Sequence, residues 1–117
     1  QFNDVRDASN PPARATVAEA VYTDSRTLQM RFSVQRALDC DFLRLTGFTG
    51  RSLLDMQPAT VRRADGEDPV SFPVGLTVLS NWWYVAPVAG PLVRLYAYYD
   101  CDGRLVRTLL IDTEVKP

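Results

Sequence analysis

The chain has 117 residues, with 13 basic and 14 acidic side chains, a net charge of −1 and no histidine. This length fits one domain, and a hydrophobic share of 46% excludes a disordered or collagen-like chain. The missing histidine excludes Ser-His-Asp and Cys-His catalysis and zinc sites with histidine ligands. The balanced charge also lacks the basic stripe that is typical of a nucleic-acid binder.

The N-terminal segment differs from the rest of the chain. Residues 1–15 are predicted to be an extended leader or linker ahead of a single domain over 16–117, because Pro11-Pro12 favours polyproline II. The segment is either a tether to a part of the protein missing before Gln1 or a frayed terminus. Membrane contact is expected only through such a missing part, since prolines and glycines interrupt the longest weakly charged stretch, 70–93.

The body of the chain is predicted to form short strands. The first spans 16–22. The clearest spans 27–35, where apolar even-numbered and polar odd-numbered residues alternate with the period of a half-buried strand. Cys40 continues the even-numbered inward face, and a bulge near it would explain why Leu43 and Leu45 are also apolar.

The middle of the chain gives weaker signals. A turn is predicted over 46–50, and the segment 52–56 fits either a short strand or a single helical turn. Asp65-Gly66 predicts a hairpin turn. The strand-like residues after this turn are predicted to be interrupted at Asn81. Further strands are predicted over 60–63, 71–80 and 82–86.

The strongest hairpin signal lies near the C-terminus, where Asp102-Gly103 separates two strand-like arms, 92–99 and 104–111. A type I′ turn would place Tyr99 opposite Val106, Ala97 opposite Thr108 and Leu95 opposite Leu110. A type I turn with a bulge at Gly103 would shift the register by one residue and flip the second arm. In both alternatives the odd-numbered residues of the first arm share the core face with Cys101.

These runs, with frequent turn signals and no convincing helix, predict an all-β protein, an antiparallel β-sandwich of about seven short strands. A small β-barrel is the alternative. Tyr99-Asp100-Cys101 has the Tyr-x-Cys spacing of the tyrosine corner and in this respect resembles immunoglobulin domains. The predicted architecture is therefore immunoglobulin-like. Family membership is not inferred, because Trp82 and Trp83 follow Cys40 too late for the core tryptophan of those domains.

The two cysteines, Cys40 and Cys101, are predicted to form a disulfide, with two free thiols as the alternative. Each lies between aspartates, which disfavour a nucleophilic thiolate. A bond between them would bring four carboxylates together around the disulfide, those of Asp39, Asp41, Asp100 and Asp102. It would also place the protein in an oxidising compartment, so the expected location is periplasmic or secreted, with membrane anchoring as an option.

Catalytic and metal-binding chemistry is not expected. Asp100-x-Asp102-Gly103 resembles the start of a calcium loop, but Leu109 stands where such a loop needs glutamate, so we predict no metal site. Lys116 is the only lysine and histidine is missing, so hydroxyl nucleophiles lack a base. We therefore predict that the protein is not an enzyme and uses no cofactor.

The candidate protein-binding residues are the aromatic and arginine side chains Trp82, Trp83, Tyr84, Arg94, Tyr96 and Tyr98. In a strand, Trp82 and Tyr84 share one side and Trp83 takes the other, so one tryptophan is core and the other is available to an interface. The alternating residues of the hairpin arm would form an outer face rich in arginine and tyrosine, which suits protein recognition. Ordinary cross-strand pairing on a solvated sheet is the alternative.

The sequence thus favours a non-catalytic, extracytoplasmic module that binds a protein partner or self-assembles, with no nucleic-acid partner. It would be the soluble domain of an envelope-anchored protein or a structural component of a surface or virion assembly. The first alternative is a small secreted inhibitor or immunity protein that binds an enzyme through the acidic loop 65–68. A more distant one is a carbohydrate-binding module that uses Trp83, Tyr96 or Tyr98.

Overall fold

The structure, a computed structural model, describes residues 6–7, 13–36, 40–66 and 78–116. Over these residues the protein is all-β and has no helix, so the predicted fold class is confirmed. The strands are β1 (Arg6–Asp7), β2 (Ala13–Asp24), β3 (Thr27–Arg36), β4 (Asp41–Gly50), β5 (Met56–Arg63), β6 (Val78–Ala86), β7 (Leu92–Cys101) and β8 (Arg104–Glu114). Seven of them run antiparallel in one curled sheet, a half-barrel, and β1 adds to β8 in parallel.

The sheet has the order β1-β8-β7-β4-β5-β6-β3-β2 and bends at β5. The first half of β5, Met56 to Ala59, pairs with β4, whereas the second half, Thr60 to Arg63, pairs with β6. The halves β2-β3-β6-β5 and β4-β7-β8 have the strand orders of the two sheets of constant-type immunoglobulin domains. Here the β4–β5 pairing joins them into one sheet, whose inner face encloses the core.

The core forms from residues that alternate along β3, β6 and β7. The even-numbered side chains of β3 from Leu28 to Val34 are fully buried, as the period-two pattern predicts. Trp83 on β6 is 1% exposed and stacks on Phe32, with ring centroids 5.0 Å apart and planes 9° apart. The odd-numbered residues of β7 from Val93 to Tyr99 complete the core from the other half.

The C-terminal hairpin adopts the first of the two predicted registers. Asp102 and Gly103 both have positive φ, 55° and 79°, which defines a type I′ turn. Tyr99 lies opposite Val106 and Ala97 opposite Thr108, as expected for that turn. The prediction is wrong further on, because Leu110 forms a bulge and Leu95 lies opposite Ile111. The bulge allows the consecutive side chains of Leu110 and Ile111 both to be buried.

Other boundaries differ from the sequence prediction. The segment 46–50 is not a turn but the end of β4, and β6 continues through Asn81 without a break. β2 begins at Ala13, whose buried side chain belongs to the core, so the strand starts inside the segment 1–15 expected to be a leader. The bulge expected next to Cys40 lies further along the chain, at Leu43, between the paired residues Phe42 and Arg44. Residues 37–39, 67–77 and most of the predicted leader lie outside the described residues.

Two polar contacts hold one end of the sheet together. The hydroxyl of Thr49, a fully buried residue of β4, accepts the N–H of Ala89 at 2.8 Å and donates to the carbonyl of Pro87 at 3.2 Å. The hydroxyl of Tyr22 donates to the carbonyl of Val115 and so connects β2 with the chain after β8. These bonds fix the segment between β6 and β7 and the seam between the first and last long strands.

Replacement of Thr49 by valine tests the first contact. Thr49→Val keeps the shape of the side chain but leaves two backbone groups without their partner, so we expect a loss of about 1–3 kcal/mol in unfolding free energy. Thr108→Val is the matched control. Thr108 is equally buried, but its hydroxyl has no hydrogen-bond partner within the described ranges, so its loss should leave stability unchanged or raised. Urea denaturation of both variants measures this, and equal losses would contradict the assignment.

The seam predicts a dependence of stability on alkaline pH. Burial raises the pKa of Tyr22 above its ordinary value of 10.0. The native state therefore binds the hydroxyl proton of Tyr22 more tightly than the unfolded state does. The contribution of Tyr22 to stability is complete below about pH 10 and is lost as pH rises through the raised pKa. Tyr22→Phe should cost about 1 kcal/mol at neutral pH. The difference between wild type and variant should shrink above about pH 10, and a constant difference in denaturation curves would contradict the role of Tyr22.

Candidate protein-binding surfaces

The fold divides the six predicted binding residues into three places. Trp82 and Tyr84 are half-buried on the outer side of β6, whereas Trp83 points inward and is a core residue that a partner does not reach. Arg94, Tyr96 and Tyr98 lie on the outer side of β7. Because β4 and β5 lie between β7 and β6 in the sheet, the two outward groups form separate surfaces on its two halves.

The first surface is the outer side of β4, β7 and β8. Cross-strand register places its side chains in rows. The rows are Arg44–Tyr98–Arg107, Thr46–Tyr96–Leu109 and Phe48–Arg94–Asp112. We call this surface the arginine–tyrosine face. Its residues on β8 come from the second arm of the same hairpin and those on β4 from a distant part of the chain, so a strip expected on one hairpin arm is a patch three strands wide.

Stacking of guanidinium groups on tyrosine rings organises this face. The guanidinium carbon of Arg44 lies 4.3 Å from the centre of the Tyr98 ring, and that of Arg107 lies 4.5 Å from the centre of the Tyr96 ring. Phe48 meets Tyr96 edge to face, with centroids 6.0 Å apart. Such cation–π contacts contribute about 0.5–1 kcal/mol each at exposed sites. The rings are therefore ordered before any partner arrives.

An ion pair closes one end of the arginine–tyrosine face. Nε of Arg94 lies 3.2 Å from Oδ1 of Asp112, and Nη2 lies 3.4 Å from Oδ2, so the guanidinium meets the carboxylate with two parallel bonds. The hydrogen bond and the charge of Asp112 raise the pKa of Arg94, so this arginine stays positively charged. Two bonds to one carboxylate restrict the orientation of the guanidinium more than a single bond would.

The second surface is the outer side of β3 and β6 around Trp82 and Tyr84. The guanidinium carbon of Arg31 lies 5.8 Å from the centre of the Trp82 ring, and the same side chain pairs with Glu19 at 3.2 Å. Arg62 on β5 is the register partner of Tyr84. The stacking is looser than on the arginine–tyrosine face, and the arginine is shared with a carboxylate.

The predicted disulfide is present between Cys40 and Cys101. It joins the beginning of β4 to the end of β7, which are neighbours in the sheet, with 4.7 Å between the Cα atoms. Disulfides form and persist in oxidising compartments, so the bond indicates an extracytoplasmic environment.

The carboxylates around the disulfide are only partly gathered. Asp41 and Asp100 are register partners, and Asp39 lies outside the described residues. One carboxylate oxygen of Asp100 accepts the N–H of Gly103 at 2.7 Å and so serves the hairpin turn. In the described part of the chain no group of three or more histidine, cysteine or acidic side chains is arranged to hold a metal ion.

Of the acidic loop 65–68, the structure describes Asp65 and Gly66. A carboxylate oxygen of Asp65 accepts bonds from Arg63 and from the side chain of Asn81, both at 2.9 Å. The first acidic residue of this loop is therefore engaged within the domain.

The most exposed apolar side chains were not anticipated from the sequence. Leu53 and Leu54 lie in the loop between β4 and β5 and are 61% and 100% exposed. The strand alternative for 52–56 is wrong, because the N–H of Asp55 bonds to the carbonyl of Ser52 at 3.1 Å and closes a turn, and β5 begins only at Met56. The sequence carries no signal that distinguishes these two leucines from core residues.

Comparisons with known proteins return no match: no family model fits the chain, and neither a curated protein nor a solved structure is significantly similar to it. Among the residues that the structure describes, there is no helix with the length and apolar character needed to cross a membrane. Function is therefore inferred from the geometry and chemistry of the surfaces.

The disulfide generates a stability prediction. It closes a loop whose ends are 61 residues apart, and the chain-entropy model gives such a link on the order of 4 kcal/mol. We expect the double variant Cys40→Ser/Cys101→Ser to lose about this much unfolding free energy. Thiol titration of the denatured, unreduced wild type should find no free cysteine. Two titratable thiols, or a variant as stable as the wild type, would contradict the assignment.

Proposed function

We propose that the chain is a non-catalytic binding module that works outside the cytoplasm and receives a protein partner on the arginine–tyrosine face. The observation that carries the proposal is the ring pair Tyr96–Tyr98, flanked by the stacked guanidiniums of Arg44 and Arg107. Tyrosine and arginine are the residue types enriched in the buried centres of protein interfaces.

Pre-ordering of these side chains favours binding. An interface side chain that is immobilised on association costs about 0.5–1.5 kcal/mol in lost rotamer freedom. Tyr96 is already held between Phe48 and Arg107, and Tyr98 beneath Arg44. A partner that covers this patch therefore immobilises few additional side chains, and the entropic cost of binding is small.

The same geometry disfavours the carbohydrate-binding alternative. A sugar ring stacks on an open aromatic face, but guanidiniums already lie over the rings of Tyr96 and Tyr98. Trp83, the third residue considered for sugar binding, lies in the core. The inhibitor alternative is weakened because Asp65 bonds within the domain.

The proposed setting follows from the disulfide. A cross-linked β domain is suited to the periplasm or to the exterior, where thiols become oxidised. We propose that the domain is either secreted or held at the envelope or at an assembled surface, as a structural and binding component. The absence of histidine supports a role without catalysis.

Photo-crosslinking from a defined position tests the partner surface. A photoreactive phenylalanine analogue replaces Tyr98, which preserves an aromatic ring, and the cross-link is made in the cells that produce the protein. The matched control carries the same analogue at Tyr84, a half-buried tyrosine on the other outer surface. We expect one discrete cross-linked protein from position 98 and none from position 84.

Substitutions then establish whether the face carries binding energy. With the cross-linked partner purified, Tyr98→Ala should weaken the complex at least about tenfold, as expected of an interface hot spot. Tyr84→Ala should leave affinity unchanged. Cross-linking only from position 84, cross-linking from neither position, or equal effects of the two substitutions would overturn the assignment of this face.

A further inference from the structure

β2 is a long strand at the edge of the sheet. Ten of its twelve residues pair with β3 along one side, and within the described ranges no strand pairs with the other side. This other side is not wholly open, because β2 approaches β8, and Tyr22 near its C-terminal end bonds to Val115 after β8. The N-terminal part of β2, from Ala13 to Val17, ends five residues before Tyr22 and so lies away from that contact. An edge strand of this kind presents unpaired backbone N–H and C=O groups.

Few of the usual protective devices occur on this edge. Proteins protect edge strands with lysine, proline, inward-pointing charges, very short strands or bulges. β2 contains no lysine and no proline, and the only charged side chain in its first five residues is Arg14. Its bulges, after Val17 and after Tyr22, leave Ala13 to Val17 as an uninterrupted run of paired residues. Five residues match the average length of a strand in a sheet.

The opposite edge of the sheet, at β8, is partly covered by another strand. There β1 adds a short parallel strand to β8, at Val106 and Arg107. On the β2 edge no described strand takes that place, although β8 lies near it, and the side chains of Val17 and Val21 remain 38% and 45% exposed. These are two of the five large apolar side chains that the described surface exposes. Val17 belongs to the run from Ala13 to Val17, so a strand paired with that run would cover it.

We propose that the β2 edge is an interface between two copies of this chain, formed by antiparallel pairing of β2 with β2. A twofold axis makes such an interface self-complementary, so the same edge serves both partners. Charge favours this occupant and this direction. Arg14 and Glu19 lie on the same outer side of β2, as the register partners of Gln35 and Arg31. Antiparallel strands bring the arginine end of one copy to the glutamate end of the other, whereas parallel strands juxtapose like charges.

The paired edges would extend two half-barrels into one continuous sheet. This inference rests on the assembly version of the proposed function, and it uses a surface that lies at the other end of the strand order from the arginine–tyrosine face. The two surfaces can therefore be tested separately. Cross-linking from position 98 reports the partner, and self-association reports the β2 edge.

Sedimentation velocity over a concentration series, at micromolar to millimolar protein, measures self-association. We expect a reversible dimer. Thr16→Lys puts a charge on the exposed outer side of the β2 edge and should weaken the dimer at least about tenfold, or 1.4 kcal/mol. The control is Thr60→Lys. It places the same charge at another exposed strand threonine on β5, which β6 and β3 separate from β2, and should leave dimerisation unchanged.

Hydrogen exchange of the backbone amides locates the interface directly. In the dimer, the N–H groups of β2 that do not bond to β3 should become protected as concentration rises, and Thr16→Lys should abolish that protection. A monomer at millimolar concentration, or a dimer equally weakened by both lysine substitutions, would overturn the proposal. Protection of these amides at every concentration would also overturn it, because another part of the same chain would then cover the edge.

Discussion

A single β-sheet buries one face only if it bends over that face, and in this protein the bend occurs at β5. Met56 to Ala59 pair with β4 and Thr60 to Arg63 pair with β6, so the strand changes partners midway. The core between the two halves, centred on the Phe32–Trp83 stack, exists because of this change. The outer face is therefore divided into one surface for each half.

Local patterns predicted the parts of the fold that local physics decides. The alternation in β3 and the Asp102-Gly103 turn depend on a few adjacent residues, and both were predicted correctly. The turn predicted over 46–50 is wrong because Gly47 and Gly50 belong to β4. A Cβ on Gly47 would lie 2.7 Å from a methyl group of Val61, so this glycine marks a close approach between strands. That approach belongs to the tertiary structure and has no local signature.

The residue types of the candidate site could be predicted from the sequence, but not which of these residues lie together on one surface. Alternation around Trp83 separated a core tryptophan from an outward one, and the outward tyrosines of β7 were recognised. The arginines that stack on those tyrosines could not be chosen, because Arg44 and Arg107 reach Tyr98 and Tyr96 only through the β4–β7 and β7–β8 registers. Strand order likewise decides that Trp82 and Tyr84 belong to a different surface.

The contact between Gly50 and Gly90 limits how this scaffold can be redesigned. A Cβ on Gly90 would collide with the backbone of Gly50 and Arg51, so the loop that carries Leu53 and Leu54 is seated directly on the chain between β6 and β7. A side chain at Gly90 would therefore push these two segments apart. At Gly103, by contrast, a Cβ would meet no atom within 4 Å, but the φ of 79° disfavours any other residue, so the backbone of the turn and not its packing decides what this position accepts.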